Sequence, residues 1–290
     1  MERQRIQAVY AAVQQLMEWR RYKEALKEAE NALRDNPEDP DLFALIGRIY
    51  FMQNEHEKAL HWANEALKRE PEQQVAWYVR VGVYYETNQE QAFQEAIREA
   101  VRIDPNESLY PFMKATRLLK KGQIGEARVQ LLHALELVPV SSLYLAALSY
   151  VEALRGNDAE SRRLDRQAVQ YEAENPHALL YLAWAANRRG EFGLQEAYMK
   201  NAVRLHPEDK QFQDEYLEAL QHNQPLFRLV MLPVRLIRRL KPWQIFLGWL
   251  AAALLFKPLL VVFIVLYVAA HWLTRGIVHV RVFGWRRRGS

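Results

Sequence analysis

Apolar residues fall at i, i+3, i+4 and i+7 through Phe43, Ile46, Gly47 and Tyr50, the pattern breaks, and a second stripe begins at Ala59, Ala63 and Ala66. Each stripe covers one face of a 3.6-residue period, and the small residues of the second let two helix axes come close. The stretch therefore predicts two amphipathic helices in antiparallel contact. The pattern returns every 34 residues. Alanine stands at Ala32, Ala66, Ala100, Ala134, Ala168 and Ala202, and proline five residues later at Pro37, Pro71, Pro105, Pro139 and Pro207, with Ala173 in the fifth place. Six units follow, at 6–39, 40–73, 74–107, 108–141, 142–175 and 176–209. Proline stops the second helix of every unit but the fifth, because the residue before it is driven out of the α region. One pair cannot bury its own faces, so the units must stack into a solenoid whose ends are capped by polar surface. Residues 210–222, with Phe212, Tyr216, Leu217 and Leu220 on one face, read as the capping helix of a domain over 1–224.

The unit at 40–73 carries a bulky residue at position 4 (Phe43), Ile46-Gly47 at 7 and 8, Tyr50 at 11, Ala59 at 20, Ala63 at 24, Ala66 at 27 and Pro71 at 32. Others keep parts of this set: Trp77, Tyr84, Ala100 and Pro105 in the third, and a turn glycine at position 15 in the last three (Gly122, Gly156, Gly190). The fifth departs most, with Ser161 at position 20 and Asp165 at 24. This pattern resembles the tetratricopeptide repeat (TPR) family, and the C-terminal hydrophobic tail is similar to that of bacterial membrane proteins with such repeats. The resemblance implies an all-α superhelical solenoid of six helix-turn-helix repeats plus the capping helix. It also implies that the first helix of each unit lines a concave groove, mainly through positions 2, 5, 9, 12 and 13. Carried onto this chain, the partner-binding groove comprises Tyr10, Gln14, Arg48, Phe51, Tyr78, Tyr85, Phe112, Thr116, Tyr150, Trp184, Asn187 and Arg188. Aromatic anchors with few charges suit an extended peptide or a helix of a protein partner; packing between repeats is the other use such residues find. Some family members clamp acidic C-terminal peptides with Lys and Asn at these positions. That set is missing here, so binding is expected to respond weakly to salt.

Charge changes the picture of the remainder. The chain has 39 Lys and Arg against 35 Asp and Glu, a formal +4, but every carboxylate side chain lies at or before Glu218. The first 224 residues hold 28 bases and 35 acids, a net of −7, and the rest holds eleven bases and no acid. From Trp243 to Leu273 the only formally charged residue is Lys257. A helix of that length would measure about 46 Å against a hydrocarbon core of about 30 Å, and Lys257-Pro258 divides it. A two-helix hairpin, transmembrane or re-entrant, a kinked single span and a buried soluble core all remain open. Five bases flank each side (Arg228, Arg235, Arg238, Arg239 and Lys241 before; Arg275, Arg281, Arg286, Arg287 and Arg288 after). The tendency of bases to stay on the cytoplasmic side then favours the hairpin. Residues 225–242 read as a basic amphipathic juxtamembrane segment whose Arg228, Arg235, Arg238, Arg239 and Lys241 face anionic lipid, and 274–290 as a basic tail. Nucleic acid is the weaker partner for these bases, because they bracket an apolar run and adjoin an acidic array. The first residues lack the apolar region of a secretory signal, so the repeats are expected on the cytoplasmic face of the cell membrane.

No catalytic motif emerges. The sequence contains no Gly-rich phosphate loop, His-Glu-x-x-His or Gly-x-Ser-x-Gly, and no cysteine. His56 and His61 are five apart, the wrong spacing for one helix face, so no metal site and no cofactor are expected. The combined expectation is a membrane-anchored, non-enzymatic scaffold or adaptor of bacterial style, with an assembly factor or chaperone subunit of a membrane complex as the alternative. A transport role for the tail is disfavoured, since Lys257 and His271 lack ionisable partners.

Overall fold

The computed structural model describes residues 2–225, together with Val265, Val268, Ala269, Trp272 and Leu273, which are helical. Among the described residues there are thirteen helices and no strand. They are α1 (Glu2–Glu18), α2 (Tyr22–Asp35), α3 (Pro40–Met52), α4 (His56–Arg69), α5 (Gln74–Glu86), α6 (Glu90–Ile103), α7 (Leu109–Lys120), α8 (Ile124–Leu137), α9 (Ser142–Leu154), α10 (Asp158–Tyr171), α11 (Pro176–Arg189), α12 (Phe192–Leu205) and α13 (Lys210–His222). Six helix-turn-helix pairs and a thirteenth helix thus follow the 34-residue period. The expected hydrophobic hairpin at 243–273, the basic segment at 225–242 with its five lipid-facing bases and the tail at 274–290 lie outside the described residues, apart from Pro225 and the five helical positions. Among the described residues no helix is long and apolar enough to cross a membrane.

Two local devices repeat with the units. At position 15 the backbone is left-handed in every one: Arg20 (φ 57°), Asn54 (61°), Asn88 (56°), Gly122 (74°), Gly156 (81°) and Gly190 (79°). The next amide then reaches back five residues, as Arg21 to the Leu16 carbonyl at 2.8 Å, Glu55 to Tyr50 at 3.0 Å and Glu191 to Ala186 at 2.8 Å. This closes the first helix with the bond that a left-handed cap permits. At position 34 a polar side chain accepts from the first turn of the following helix. Asp39 accepts from the Asp41 amide, Gln73 from Ala76, Glu107 from Leu109, Ser141 from Tyr144, Asn175 from Ala178, and Asp209 from Gln211 and Phe212. Each contact satisfies an amide that the helix start leaves open.

The chain divides into two compact units, Met1–Arg117 and Leu118–Ser290. In the first, Leu42, Ile46 and Ile49 of α3 are fully buried, each contributing about 1.5–3 kcal/mol by leaving water. A Cβ on Gly47 would lie 3.1 Å from the Ala63 backbone nitrogen, so α3 and α4 meet at backbone distance. Phe43 stacks against Trp62 at 5.5 Å, and the Arg69 guanidinium lies 3.9 Å from the Phe43 ring centre.

In the second unit the equivalent contact is polar. Ser149 occupies the Gly47 position, and its hydroxyl donates to Asp165 and lies 2.9 Å from the Ser161 hydroxyl. Arg189, fully buried, donates to Ser161 and, at 2.5 Å, to Asp165, and meets Glu191 at 2.8 Å. The odd residues of the fifth repeat therefore form one buried network across α9, α10 and the end of α11. Its charge is nearly balanced, and burial is the main force raising Asp165 above the ordinary aspartate range. Nearby Glu152, 2% exposed, receives Arg128, Arg155 and Asn157 at 2.5, 3.2 and 2.6 Å.

Candidate protein-binding faces

The first helices carry every predicted groove residue, and the structure separates those spent on packing from those left at the surface. In the first unit, Arg48 donates to Gln14 at 3.5 Å, joining α1 to α3. Tyr10 is half-buried, and its hydroxyl has no hydrogen-bond partner among the described residues. Burial, then Asp39 and Asp41, push its ionisation upward. Phe51 is only 7% exposed. It meets Tyr78 edge-on at 6.3 Å and fills the space above Gly82, where an added Cβ would lie 2.6 Å from the ring. Thr116, 6% exposed, shares a 2.8 Å hydrogen bond with the Tyr85 hydroxyl. Tyr85 in turn has the Arg117 guanidinium 4.7 Å from its ring centre. Phe51 and Thr116 are thus held between helices, while Tyr78, Tyr85 and Phe112 stay half-exposed.

In the second unit three rings meet on the corresponding face. Tyr150 of α9 lies 5.6 Å from Trp184 and 6.4 Å from Tyr181, both of α11, and Tyr181 meets Trp184 edge-on at 5.2 Å. All three remain partly exposed. Trp184 adjoins Glu215 of α13, whose carboxyl is raised above the ordinary range first by burial, with Trp184 working against the rise and Glu218 and Asp214 adding to it. Tyr150 is also raised by burial, against the opposing pull of Arg188. Arg188 is exposed and Asn187 half-buried. Tyr181 and Glu215 stand at position 6 of their units, outside the five positions used to predict the groove. The signal for Tyr181 was its place three residues before Trp184 on one helical face. Glu215 was hidden because its helix read as a cap. Among the described residues no group of three or more His, Cys, Asp or Glu could hold a metal ion.

Residues 10–74 and 75–107 each match a family model described as tetratricopeptide repeat. Residues 10–107, about a third of the chain, are therefore similar to tetratricopeptide repeats. Solved structures similar to this chain include Pseudomonas aeruginosa PilF, at 16% identity over 75% of this chain and 99% of that one, with a TM-score of 0.59. PilW, a type IV pilus biogenesis factor, is 18% identical over 66% of this chain and 98% of its own, with a TM-score of 0.51. Yeast Tom70 is 16% identical over 74% of this chain and 46% of its own, at 0.53. Identities this low establish a shared fold and nothing finer. No curated protein matches this chain significantly.

Proposed function

We propose that the protein is a membrane-anchored, non-catalytic scaffold whose first-helix faces hold a peptide or helix of a partner protein. The observation that carries this reading is the Tyr150, Tyr181 and Trp184 cluster, three large rings in mutual contact yet still open to solvent. Rings of this kind supply anchoring area at a small loss of side-chain entropy. Half-exposed Tyr78 and Tyr85 offer a similar surface in the first unit.

The anchor rests on sequence. The apolar run at 243–273, bracketed by equal clusters of bases and followed by no acid, fits a hairpin with both flanks on the cytoplasmic side, and Arg228 to Lys241 fit anionic headgroups. Tethering then acts by raising the local concentration of the bound partner at the membrane surface. A subunit whose tail packs inside a membrane complex is the alternative. Co-purification from native membranes tests the scaffold reading. Trp184→Ala combined with Tyr78→Ala should remove the partner while leaving the helical circular-dichroism spectrum intact, and undiminished recovery would move the function away from these faces.

A further inference from the structure

Resting on the reading of the second unit's face as a peptide site, we infer that its α13 end selects a basic side chain, so that the bound segment is apolar and carries lysine or arginine beside its anchor. The argument is one of charge complementarity. An open concavity on α13 is lined by Lys210, Gln211, Asp214, Glu215 and Glu218. Three carboxylates therefore share this surface with Lys210, with His222 3.6 Å from Glu218, and Glu215 is the one that adjoins Trp184 of the ring cluster. Glu215 is half-buried, and its neighbours Glu218 and Asp214 add to the burial that already disfavours its charge. A ligand cation relieves that crowding and replaces the water Glu215 has lost. It would also lie beside Trp184, which adjoins Glu215, and an electron-rich ring attracts ammonium and guanidinium groups.

Arg188 is exposed at the end of α11, and its charge and that of Glu215 act on Tyr150 in opposite directions. Because Glu215 is half-buried, it is screened less by salt than a surface carboxylate would be. The site therefore chooses the sign of the ligand even though the rings supply most of the contact.

The test uses the full-length protein in nonionic detergent and fluorescein-labelled twelve-residue peptides of leucine and alanine that differ only in two central residues, both Arg, both Gln or both Glu. Anisotropy titration should give the Arg peptide roughly tenfold tighter binding than the Gln peptide, with the Glu peptide weakest. Glu215→Gln, an isosteric change, should bring the Arg-to-Gln ratio close to one, the ratio being read within each protein so that a change common to both peptides cancels. Equal affinities for Arg and Gln peptides, or an unaltered ratio in Glu215→Gln, overturns the inference. If Trp184→Ala weakens all three peptides while Glu215→Gln alters none, the face still binds peptides and only the charge preference falls. If neither substitution matters, both readings fall. The chain's own acid-free segment is the rival occupant. Replacing Arg228, Arg235, Arg238, Arg239 and Lys241 with Gln should leave Arg-peptide affinity unchanged, and a several-fold gain would show that segment in the site and overturn a partner's claim to it.

Discussion

Position 15 of each repeat must turn left-handed, and the six units meet that demand with three kinds of residue. Glycine does so without steric cost and asparagine at little, but Arg20 holds φ 57° with a full side chain. Arg20→Gly should therefore raise stability by up to about 1 kcal/mol, and Gly156→Ala should lower it by about 1 kcal/mol, both read from urea denaturation. Glu152 offers a second residue-scale test. Burial works against its charge, yet Asn157, Arg128 and Arg155 outweigh burial and hold the carboxyl below the usual range. A depressed folded-state value means that its contribution is present above the ordinary glutamate pKa near 4.3 and is lost as pH falls through the lower folded value. Glu152→Gln should remove that part of the acid sensitivity. At neutral pH it should cost roughly 2–3 kcal/mol, at or below the low end for breaking a buried pair because both arginines are partly exposed. Thermal melts across pH 3–7 check both statements.

The elements were largely readable from periodicity. Apolar stripes, the alanine ladder and the prolines located every helical pair, since each is a local consequence of helix geometry. What escaped depends on neighbours brought in from another helix. Phe51 sits at a groove position but is drawn inward because Gly82, 31 residues later, leaves room for its ring. Gly82→Ala should therefore cost about 1–3 kcal/mol by overpacking. Combining it with Phe51→Leu should cost less than the two single changes added together, a double-mutant cycle measured by denaturation. Ser161 and Asp165 looked like departures from a pattern, and only the arrival of Ser149 and Arg189 shows them to be parts of one network. The position-34 caps depend on no tertiary contact: Asp39, Ser141, Asn175 and Asp209 are residue types preferred at helix starts, a signal the repeat pattern alone did not use. Asp209→Ala should lower stability by about 1 kcal/mol and fray the start of α13, seen as faster amide exchange at Gln211 and Phe212.

For the molecule as a whole, the +4 of the complete chain averages an acidic repeat array and an acid-free apolar tail. That separation is what leads from the repeats to a proposed membrane tether. Cell fractionation should place the full chain with membranes and keep it there through a high-salt wash, whereas a chain stopped after His222 should move to the supernatant; identical behaviour of the two would remove the anchor from the account. The central claim concerns what the repeats hold. A photo-crosslinking residue at position 181, among the rings, and another at Arg163, exposed on α10, test it in intact cells. The account predicts a discrete adduct from position 181 and none from position 163; no adduct at 181, or the same adduct at both, would contradict it.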